Sequence, residues 1–226
     1  MSIAPVIAVD GPSASGKGTV AARVADALGF HYLDSGALYR LVAVAAGRVG
    51  ASLTDEPGLA RLALGMEISF KNNELWLDHE NVSELARAEA TSAAASRVAA
   101  FAPVREALLQ RQRAFRQPPG LVADGRDMGS VVFPDATLKV FLTADRAVRA
   151  ERRHKQLIEK GMHVKIATVV EELQRRDERD SSRPVAPLRH YPDAQLLDTT
   201  HLSIDEAVQA ILGWYRQDVR GQPRSP

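Results

Sequence analysis

Residues 11–19 carry the clearest chemical pattern of the chain, and they read Gly-Pro-Ser-Ala-Ser-Gly-Lys-Gly-Thr. Two glycines five positions apart, followed at once by a lysine, have the spacing of a P-loop, whose backbone N–H groups surround phosphate oxygens. The lysine adds a mobile positive charge, and the start of the next helix adds a partial one. We therefore predict that a nucleoside triphosphate binds through Gly11, Pro12, Ser13, Ala14, Ser15, Gly16, Lys17, Gly18 and Thr19.

One position departs from the common P-loop. Gly18 follows Lys17, where the common loop has a serine or threonine whose hydroxyl binds Mg²⁺. The sequence therefore assigns no certain metal ligand, and Thr19, acting through a water molecule, is the one candidate. A chance lysine in a glycine-rich turn would explain the same letters, but a predicted strand before the loop and a helix after it disfavour that interpretation. The Lys-Gly-Thr ending is typical of nucleoside monophosphate kinases rather than of GTPases.

Short apolar segments alternate with helical patterns along most of the chain. Strands are predicted over residues 5–9, 30–33, 121–124, 138–142 and 196–198. Helices are predicted over residues 16–28, 35–49, 56–64, 84–100, 103–117, 145–161 and 165–180. Ser203 and Glu206 form a capping box that opens a last helix. Because strands that alternate with helices pair in parallel, we predict an α/β fold: a P-loop NTPase core with a parallel sheet and helices on both faces.

The pattern changes between residues 66 and 83. Residues 66–70 alternate apolar and polar side chains, Lys71-Asn72-Asn73 has the composition of a turn, and residues 75–77 follow. These features predict a small antiparallel hairpin. We interpret it as an insertion into a single domain over residues 1–226, because a lone hairpin is marginally stable. Just before it, Thr54 is the predicted cap of the helix over residues 56–64.

The composition excludes several classes of protein. The 226 residues are 45% apolar and 25% charged, as in a folded domain rather than a disordered chain. The chain has no cysteine, which excludes disulfides, thiolate metal sites and cysteine nucleophiles. A net charge of +1 argues against a nucleic-acid partner. Residues 1–10 lack the pattern of a signal peptide, so we expect a cytoplasmic protein without a membrane partner.

Arginine greatly outnumbers lysine. Of the 29 basic residues only six are lysine, which leaves 29 − 6 = 23 arginines. Genomic base composition produces such a bias, and so does the use of planar guanidinium groups to bind phosphate or carboxylate. The counts alone leave both explanations open.

Four further segments resemble the members of one enzyme family. In chain order they are Asp34-Ser35-Gly36-Ala37-Leu38-Tyr39-Arg40, residues 96–105, Asp124-Gly125-Arg126-Asp127-Met128-Gly129, and Arg176-Asp177-Glu178-Arg179-Asp180-Ser181-Ser182-Arg183. Together with residues 11–19 they resemble the bacterial cytidylate kinases, in the same order and spacing. The resemblance runs nearly from end to end, and the combination of segments is much more specific than the P-loop alone.

The resemblance implies transfer of the γ-phosphoryl group of ATP to CMP or dCMP by a monomeric enzyme, with Mg²⁺ as cofactor. It implies that the acceptor phosphate is bound by Ser35, Arg40 and Arg126. It implies that the cytosine is recognised by Ser96, Arg105 and Asp127. It implies that the ribose and the reacting phosphates are surrounded by Arg176, Asp180 and Arg183. Catalysis then falls to Lys17, Arg126, Arg176 and Arg183.

The resemblance also assigns two larger pieces of the chain. Residues of about 60–100 are the enlarged monophosphate-binding region, which contains the hairpin. Residues of about 149–165 are a helical lid over ATP, with Arg149, Arg152 and Arg153 as candidate contacts. An ordinary solvated helix face is the open alternative for these three arginines.

The residue types suit phosphoryl transfer between two nucleotides. The acceptor oxygen belongs to a phosphate whose second pKa is about 6, so it is ionised at neutral pH and needs no general base. Positioning and positive charge then supply the catalysis. Asp127 can accept a hydrogen bond from the 4-amino group of cytosine, where uracil has an oxygen. The spacing of Arg176, Asp180 and Arg183 puts them on one face of a continuous helix.

Two alternative functions remain at this point. One is another nucleoside monophosphate kinase or a shikimate-type kinase of the same fold, which the set Ser96, Arg105 and Asp127 disfavours. The other is a P-loop switch that hydrolyses nucleotide slowly and retains it. The arginines assigned to the acceptor disfavour the switch, because a switch has no second phosphorylated substrate.

Overall fold

Five strands form a central sheet in a computed structural model that describes residues 3–71, 74–219 and 221. The strands are β1 (Val6–Asp10), β2 (His31–Asp34), β6 (Leu121–Gly125), β7 (Leu138–Thr143) and β8 (Gln195–Asp198), and their order in the sheet is β2-β6-β1-β7-β8. Strand β1 pairs in parallel with β6 and with β7, and β7 pairs in parallel with β8. The predicted parallel α/β sheet is therefore confirmed, with each strand within two residues of its predicted bounds.

Strand β1 lies at the centre of the sheet because its residues are apolar on both faces. Ile7 and Val9 join a core cluster with α1 (Lys17–Leu28) and α9 (Ile204–Val219). Val6 and Ala8, which point to the opposite face, are also fully buried. A strand buried on both faces is what a parallel sheet in an α/β fold requires.

Chain contacts divide the described residues into two compact units. The first contains the residues up to Leu33 together with those from Phe115 onward, and the second contains Asp34–Ala114. The first unit adds a π-helical turn (Met128–Val132), α7 (Arg146–Glu159) and α8 (Ile166–Ser181) to the sheet, α1 and α9. The predicted capping box at the start of α9 is confirmed: the Glu206 carboxylate accepts from the Ser203 N–H, and the Ser203 hydroxyl accepts from the Glu206 N–H.

The second unit is mostly helical. Its helices are α2 (Ser35–Arg48), α3 (Glu56–Gly65), α4 (Ser83–Arg87), α5 (Glu89–Val98) and α6 (Ala102–Ala114). It also contains an antiparallel sheet of β3 (Ile68–Lys71), β4 (Glu74–Leu77) and β5 (Glu80–Asn81). The single-domain boundary over residues 1–226 and the insertion over about 60–100 stay predictions.

Two local predictions in the second unit are wrong, and a third, the antiparallel hairpin, is confirmed by the pairing of β3 with β4 but lacked one strand. Asp55, not Thr54, caps α3, because its carboxylate accepts the N–H of Gly58. The hairpin has a third strand, β5, which is only two residues long and fully polar. The predicted helix over residues 84–100 is broken at Ala88, whose extended backbone separates α4 from α5. The turn residues Asn72 and Asn73 lie outside the described residues.

Gly11 follows β1 directly and lies against the backbone of β7. A Cβ atom at this position would lie 2.0 Å from the carbonyl oxygen of Leu142. The first glycine of the P-loop is therefore required by the close approach of two backbones, before any phosphate binds.

We expect Gly11→Ala to lower the free energy of unfolding by about 3 kcal/mol, since the added methyl group forces β1 and β7 apart. Gly213→Ala is the matched control, because Gly213 lies within α9 and an added Cβ meets nothing within 4 Å. This control should be neutral or stabilising by about 0.5–1 kcal/mol. Equal unfolding free energies for the two variants in chemical denaturation would contradict the steric explanation.

Candidate nucleotide site

The loop over residues 11–16 connects the end of β1 to the start of α1. Gly16 precedes α1 with a φ of 92°, in the left-handed region that favours glycine, and Ala14 has a φ of 59°. The hydroxyl of Ser15 donates to the carbonyl of Pro12 at 3.0 Å, and the ammonium of Lys17 donates to the same carbonyl at 3.4 Å. The structure thus builds the predicted strand, loop and helix, with the lysine folded against its own loop.

A side chain at Gly18, the position that departs from the common P-loop, would begin close to Asp124 and Tyr32. A Cβ atom at Gly18 would lie 3.3 Å from Oδ2 of Asp124 and 3.6 Å from the hydroxyl of Tyr32. That hydroxyl donates to the same carboxylate oxygen at 2.5 Å. The place where a serine or threonine would begin is therefore next to a buried carboxylate held by a tyrosine.

Sequence reasoning assigned no role to Asp124 or Tyr32. The available signal was an aspartate at the carboxyl end of a buried strand, which is where ligands bind in parallel α/β sheets. The pairing with Tyr32 depends on residues 92 positions apart, which no local pattern records.

Arg126 connects the P-loop to α8. Its Nη2 donates to the hydroxyl of Ser13 at 2.8 Å, and its Nε donates to a carboxylate oxygen of Asp180 at 2.7 Å. Although burial alone would lower the pKa of the Arg126 guanidinium, the nearby carboxylates of Asp180, Asp124 and Asp10 raise it. The predicted phosphate ligand is therefore already a fixed positive charge beside the phosphate loop.

Asp180 is surrounded by the predicted catalytic arginines. Burial alone would raise its pKa, but the positive charges of Arg126, Arg183 and Arg176 outweigh burial and lower it. Arg183 lies beyond the end of α8 rather than on one helical face with Asp180, as the spacing had suggested. Its Nε donates to the backbone carbonyl of Asp180 at 3.2 Å, and its Nη2 lies 3.9 Å from the carboxylate of Asp180, so the chain turns and still brings the two charges together.

Arg149 is an internal ion-pair partner rather than an exposed lid residue. Its guanidinium makes two hydrogen bonds to the carboxylate of Asp177, at 3.1 and 2.7 Å. It also donates to the carbonyls of Ser13 and Ala144. The solvated-face alternative is therefore wrong for Arg149, which joins α7, α8 and the P-loop. Closure of a lid over residues 149–165 stays a prediction.

A cavity of about 410 Å³ lies beside the P-loop within the first unit. One side of the cavity is lined by Ser15, Gly16 and Thr19. A second side is lined by one face of α7, with Arg152, Lys155, Gln156 and Glu159. The remaining lining residues are Thr199, Leu202 and residues 203, 204 and 207. Arg152 donates to the carbonyls of Ser15 and Thr199. The predicted ATP contact Arg153 does not line this cavity, and it donates instead to the side chain of Gln156.

Thr199 is a second residue that sequence reasoning missed. It is buried, and its hydroxyl lies 3.1 Å from the carbonyl of Ser15 and 3.0 Å from that of Thr143. It therefore attaches the end of β8 to the P-loop. The position directly after a strand was its only signal in the sequence.

Asp127 is buried at the start of the π-helical turn, directly after Arg126.

The remaining predicted acceptor residues lie in the second unit. Arg40 donates to Asp34 at 2.5 Å, and the same carboxylate caps α2 by accepting the N–H of Ala37. The guanidinium of Arg105 lies 6.0 Å from the ring centre of Tyr39 and donates to the carbonyl of Ala99. Ser35 and Ser96 are both buried.

Metal binding and membrane insertion each need a recognisable feature within the described ranges 3–71, 74–219 and 221. Within these ranges, no three or more acidic or histidine side chains are grouped so as to hold a metal ion. None of the helices described is long and apolar enough to span a bilayer.

Comparisons with known proteins give the family of the chain. The family model "Cytidylate kinase" matches residues 7–217 of this chain. The chain belongs to the cytidylate kinase family. Cytidylate kinase from Chromobacterium violaceum is 58% identical over 213 residues, 94% of this chain and 96% of that protein. Cytidylate kinase from Cupriavidus necator is 56% identical over 215 residues, 95% of this chain and 97% of that protein.

Solved structures add a likeness of fold. An uncharacterized protein from Eubacterium ventriosum superimposes with a TM-score of 0.52 at 13% identity, over 94% of this chain and 98% of that chain. At that identity the match describes the fold alone, whereas the relationship to the cytidylate kinase family comes from the sequence.

We expect Arg149 and Asp177 to be strongly coupled in their effects on the free energy of unfolding, because their ion pair is buried: the two side chains are 6% and 19% exposed. Arg149→Met alone should lower the free energy of unfolding by at least about 2 kcal/mol, since it strands the partner carboxylate. A double-mutant cycle with Asp177→Asn should give a coupling of about 1–3 kcal/mol. The exposed pair Arg23 and Asp205 is the matched control, for which the same substitutions should give less than about 1 kcal/mol. Equal couplings in the two cycles would contradict the internal role of Arg149.

Proposed function

We propose that this chain transfers the γ-phosphoryl group of ATP to CMP or dCMP, giving ADP and CDP or dCDP. The observation that carries the proposal is the position of Arg126, which donates to Ser13 in the phosphate loop and to Asp180 on α8. A permanent positive charge beside the phosphate loop suits a reaction that brings two phosphorylated substrates together. Membership in the cytidylate kinase family supports the identity of the acceptor.

The donor side follows from the P-loop and the adjoining cavity. We assign the ATP phosphates to residues 11–19, with Lys17 reaching the β- and γ-phosphates. The nucleoside part of ATP fits the cavity lined by Arg152 and Thr199. Both residues are already bonded to Ser15, so they form a wall attached to the loop that binds the phosphates.

The proposed metal cofactor is Mg²⁺, bound together with ATP. Mg²⁺ in phosphoryl-transfer enzymes is held by one or two carboxylates plus substrate phosphates, and it neutralises charge on those phosphates when bound. The carboxylate of Asp124 beside Gly18 fits that role, and Thr19 is the candidate for a contact through water. Tyr32 keeps Asp124 in place through its hydrogen bond.

On the acceptor side, Arg126 is assigned to the phosphate, with Arg176 and Arg183 next to the reacting groups and Asp180 between the three. Asp180 holds its negative charge because these cations lower its pKa, so it keeps the guanidinium groups oriented. The residues of the second unit keep the roles that the family resemblance implies: phosphate binding by Ser35 and Arg40, and cytosine binding by Ser96 and Arg105. The monomeric state and the cytoplasmic location also stay predictions.

No side chain is needed as a general base. The attacking phosphate oxygen is ionised at neutral pH, since its second pKa is about 6. The protein contributes by holding the two phosphates in line and by balancing the charge that spreads over the transferred group. Arginine suits this because its planar guanidinium stays protonated and binds two oxygens at once.

Asp127 is proposed to distinguish cytosine from uracil, and an acceptor panel tests this together with the overall function. The wild-type chain should phosphorylate CMP and dCMP with kcat/KM about 10- to 100-fold above UMP and AMP, because a bidentate or charged base contact contributes about 1–3 kcal/mol. Asp127→Asn should narrow the CMP to UMP ratio about 10-fold or more. If AMP is the best acceptor of the wild-type chain, the proposed function is wrong. If the ratio is unchanged in Asp127→Asn, only the base-reading role fails.

Arg126→Ala should lower kcat by about 1,000-fold or more, as for other arginines that balance transition-state charge. ADP binding, measured by calorimetry, should change much less, because the P-loop backbone provides most of its phosphate contacts. Arg23→Ala serves as the matched control, since Arg23 is exposed and pairs with Asp205, and its kcat should stay within twofold of wild type. Near-normal turnover of Arg126→Ala would refute the phosphate role.

A further inference from the structure

Asp10 is an acidic residue at the centre of the first unit to which the proposed mechanism gives no task. It is the last residue of β1, directly before the P-loop. One carboxylate oxygen accepts the backbone N–H of Met128 at 2.8 Å, and the other accepts the N–H of Gly129, also at 2.8 Å. One side chain therefore holds two successive amides that lie 118 and 119 positions further along the chain.

These amides open the π-helical turn that follows Arg126 and Asp127. The first N–H groups of a helical segment have no partner within it and need an acceptor from elsewhere. Asp127 stands at the cap position, but its side chain makes no capping bond. Asp10 supplies the cap in its place, so the backbone directly after Asp127 is held by the last residue of β1.

The strand pairing makes this connection short and rigid. Asp10 is in register with Gly125 of β6 and with Phe141 of β7, so it lies between the two central neighbours of β1. Gly11, its next residue, packs on the backbone of Leu142. The same two-residue segment thus fixes the start of the phosphate loop on one side and the backbone after Asp127 on the other.

A carboxylate is an unfavourable choice for a purely structural link here. Burial away from water raises the pKa of Asp10, and the negative charge of Asp127 raises it further. The hydrogen bonds from the two amides and the positive charge of Arg126 lower it, but the net result is a rise from 3.8 to about 7. The other charged groups nearby are Lys139 on β7 and, in the loop between α8 and β8, Arg189 and Asp193, which line the same small cavity as Asp10. A carboxyl group whose pKa is strongly raised, and which is bonded to two successive amides beside a second carboxyl group, is typical of a functional site.

We propose that Asp10 is a positioning residue that sets the backbone of Arg126 and Asp127 relative to the P-loop, and thereby the selectivity for the acceptor base. The inference rests on the proposed function for its readout, because Asp127 is there assigned to the cytosine. Asp10 itself touches neither substrate in this assignment. It acts through the amides of Met128 and Gly129.

Asp10→Asn is the direct test, because it keeps the shape of the side chain and removes one acceptor. The amide oxygen can accept one N–H, but its NH₂ group then faces the other N–H. We expect the CMP to UMP ratio of kcat/KM to fall about 10-fold or more, with KM for CMP raised. The Kd of ADP should stay within about threefold of wild type, since the P-loop is retained.

Two comparisons separate positioning from general damage. Asp135→Asn is the matched control: it removes the charge of an exposed aspartate paired with Arg116, and its selectivity should equal that of wild type. The double variant Asp10→Asn with Asp127→Asn should lose no more selectivity than Asp127→Asn alone, since both act on the same base contact. Equal loss of CMP and UMP activity in Asp10→Asn, with the ratio unchanged, would overturn the proposal.

A measurement on the unaltered chain covers the case in which Asp10→Asn does not fold. The amide proton signals of Met128 and Gly129 should move together in a pH titration by NMR as the shared carboxylate ionises, without any substrate present. If neither signal moves at any pH at which the chain stays folded, no ionisable group is bonded to these amides and the proposal fails, whatever the acceptor panel shows. If both move while wild-type CMP selectivity is absent, the proposed function fails instead.

The same ionisation has a consequence for stability. Because the pKa of Asp10 in the folded chain is raised from 3.8 to about 7, the folded state binds this proton more tightly than the unfolded state. The contribution of Asp10 to stability is therefore largest below pH 3.8. It falls as the pH rises from 3.8 to about 7, and it is constant at higher pH. The unfolding free energy of wild type should fall relative to that of Asp10→Asn between those limits, and parallel pH curves would contradict the assignment.

Discussion

The arrangement of the first unit depends on two hydrogen bonds that the guanidinium of Arg126 makes. This group bonds to Ser13 in the phosphate loop and to Asp180 on α8, at sequence separations of 113 and 54 residues. A partly buried cation needs fixed acceptors, because it has lost most of its water. The loop and the helix are therefore attached to the same charge, and Arg149 attaches them a second time through Ser13 and Asp177. Two arginines thus fix the position of the phosphate loop in the absence of nucleotide.

Two aspartates show how neighbours decide the state of a carboxylate. Asp180 and Asp10 both lose hydration, which raises the pKa of a carboxyl group. Three arginines surround Asp180 and lower its pKa, so it remains charged and orients them. Asp10 lies close to Asp127, and its pKa is raised to about 7. The first carboxylate organises cations, and the second organises backbone amides, although the residue type is the same.

Much of the fold and part of the site were predictable because their causes are local. The P-loop, the buried strands and the Ser203 capping box depend on residues within a few positions of one another, so their patterns are visible in the sequence. Asp55 replaced Thr54 as a cap because the two compete for the same helix end, and the backbone decides between them. The strand β5 is polar and two residues long, so it has no apolar alternation to reveal it. The buried role of Arg149, predicted as a lid contact with a solvated helix face as the alternative, was missed because its partner Asp177 lies 28 residues away.

The sequence by itself determined the nucleotide-binding loop, the parallel α/β sheet and membership in the cytidylate kinase family, since each is written in residue types and spacing. The tertiary structure alone decided which charges meet. It placed Asp124 and Tyr32 where a P-loop hydroxyl would begin, Thr199 against Ser15, and Asp10 beneath the amides after Asp127. The physical reason is range: propensity and hydrophobic period act over a few residues, whereas an ion pair or a backbone contact across a parallel sheet joins segments that the chain keeps far apart.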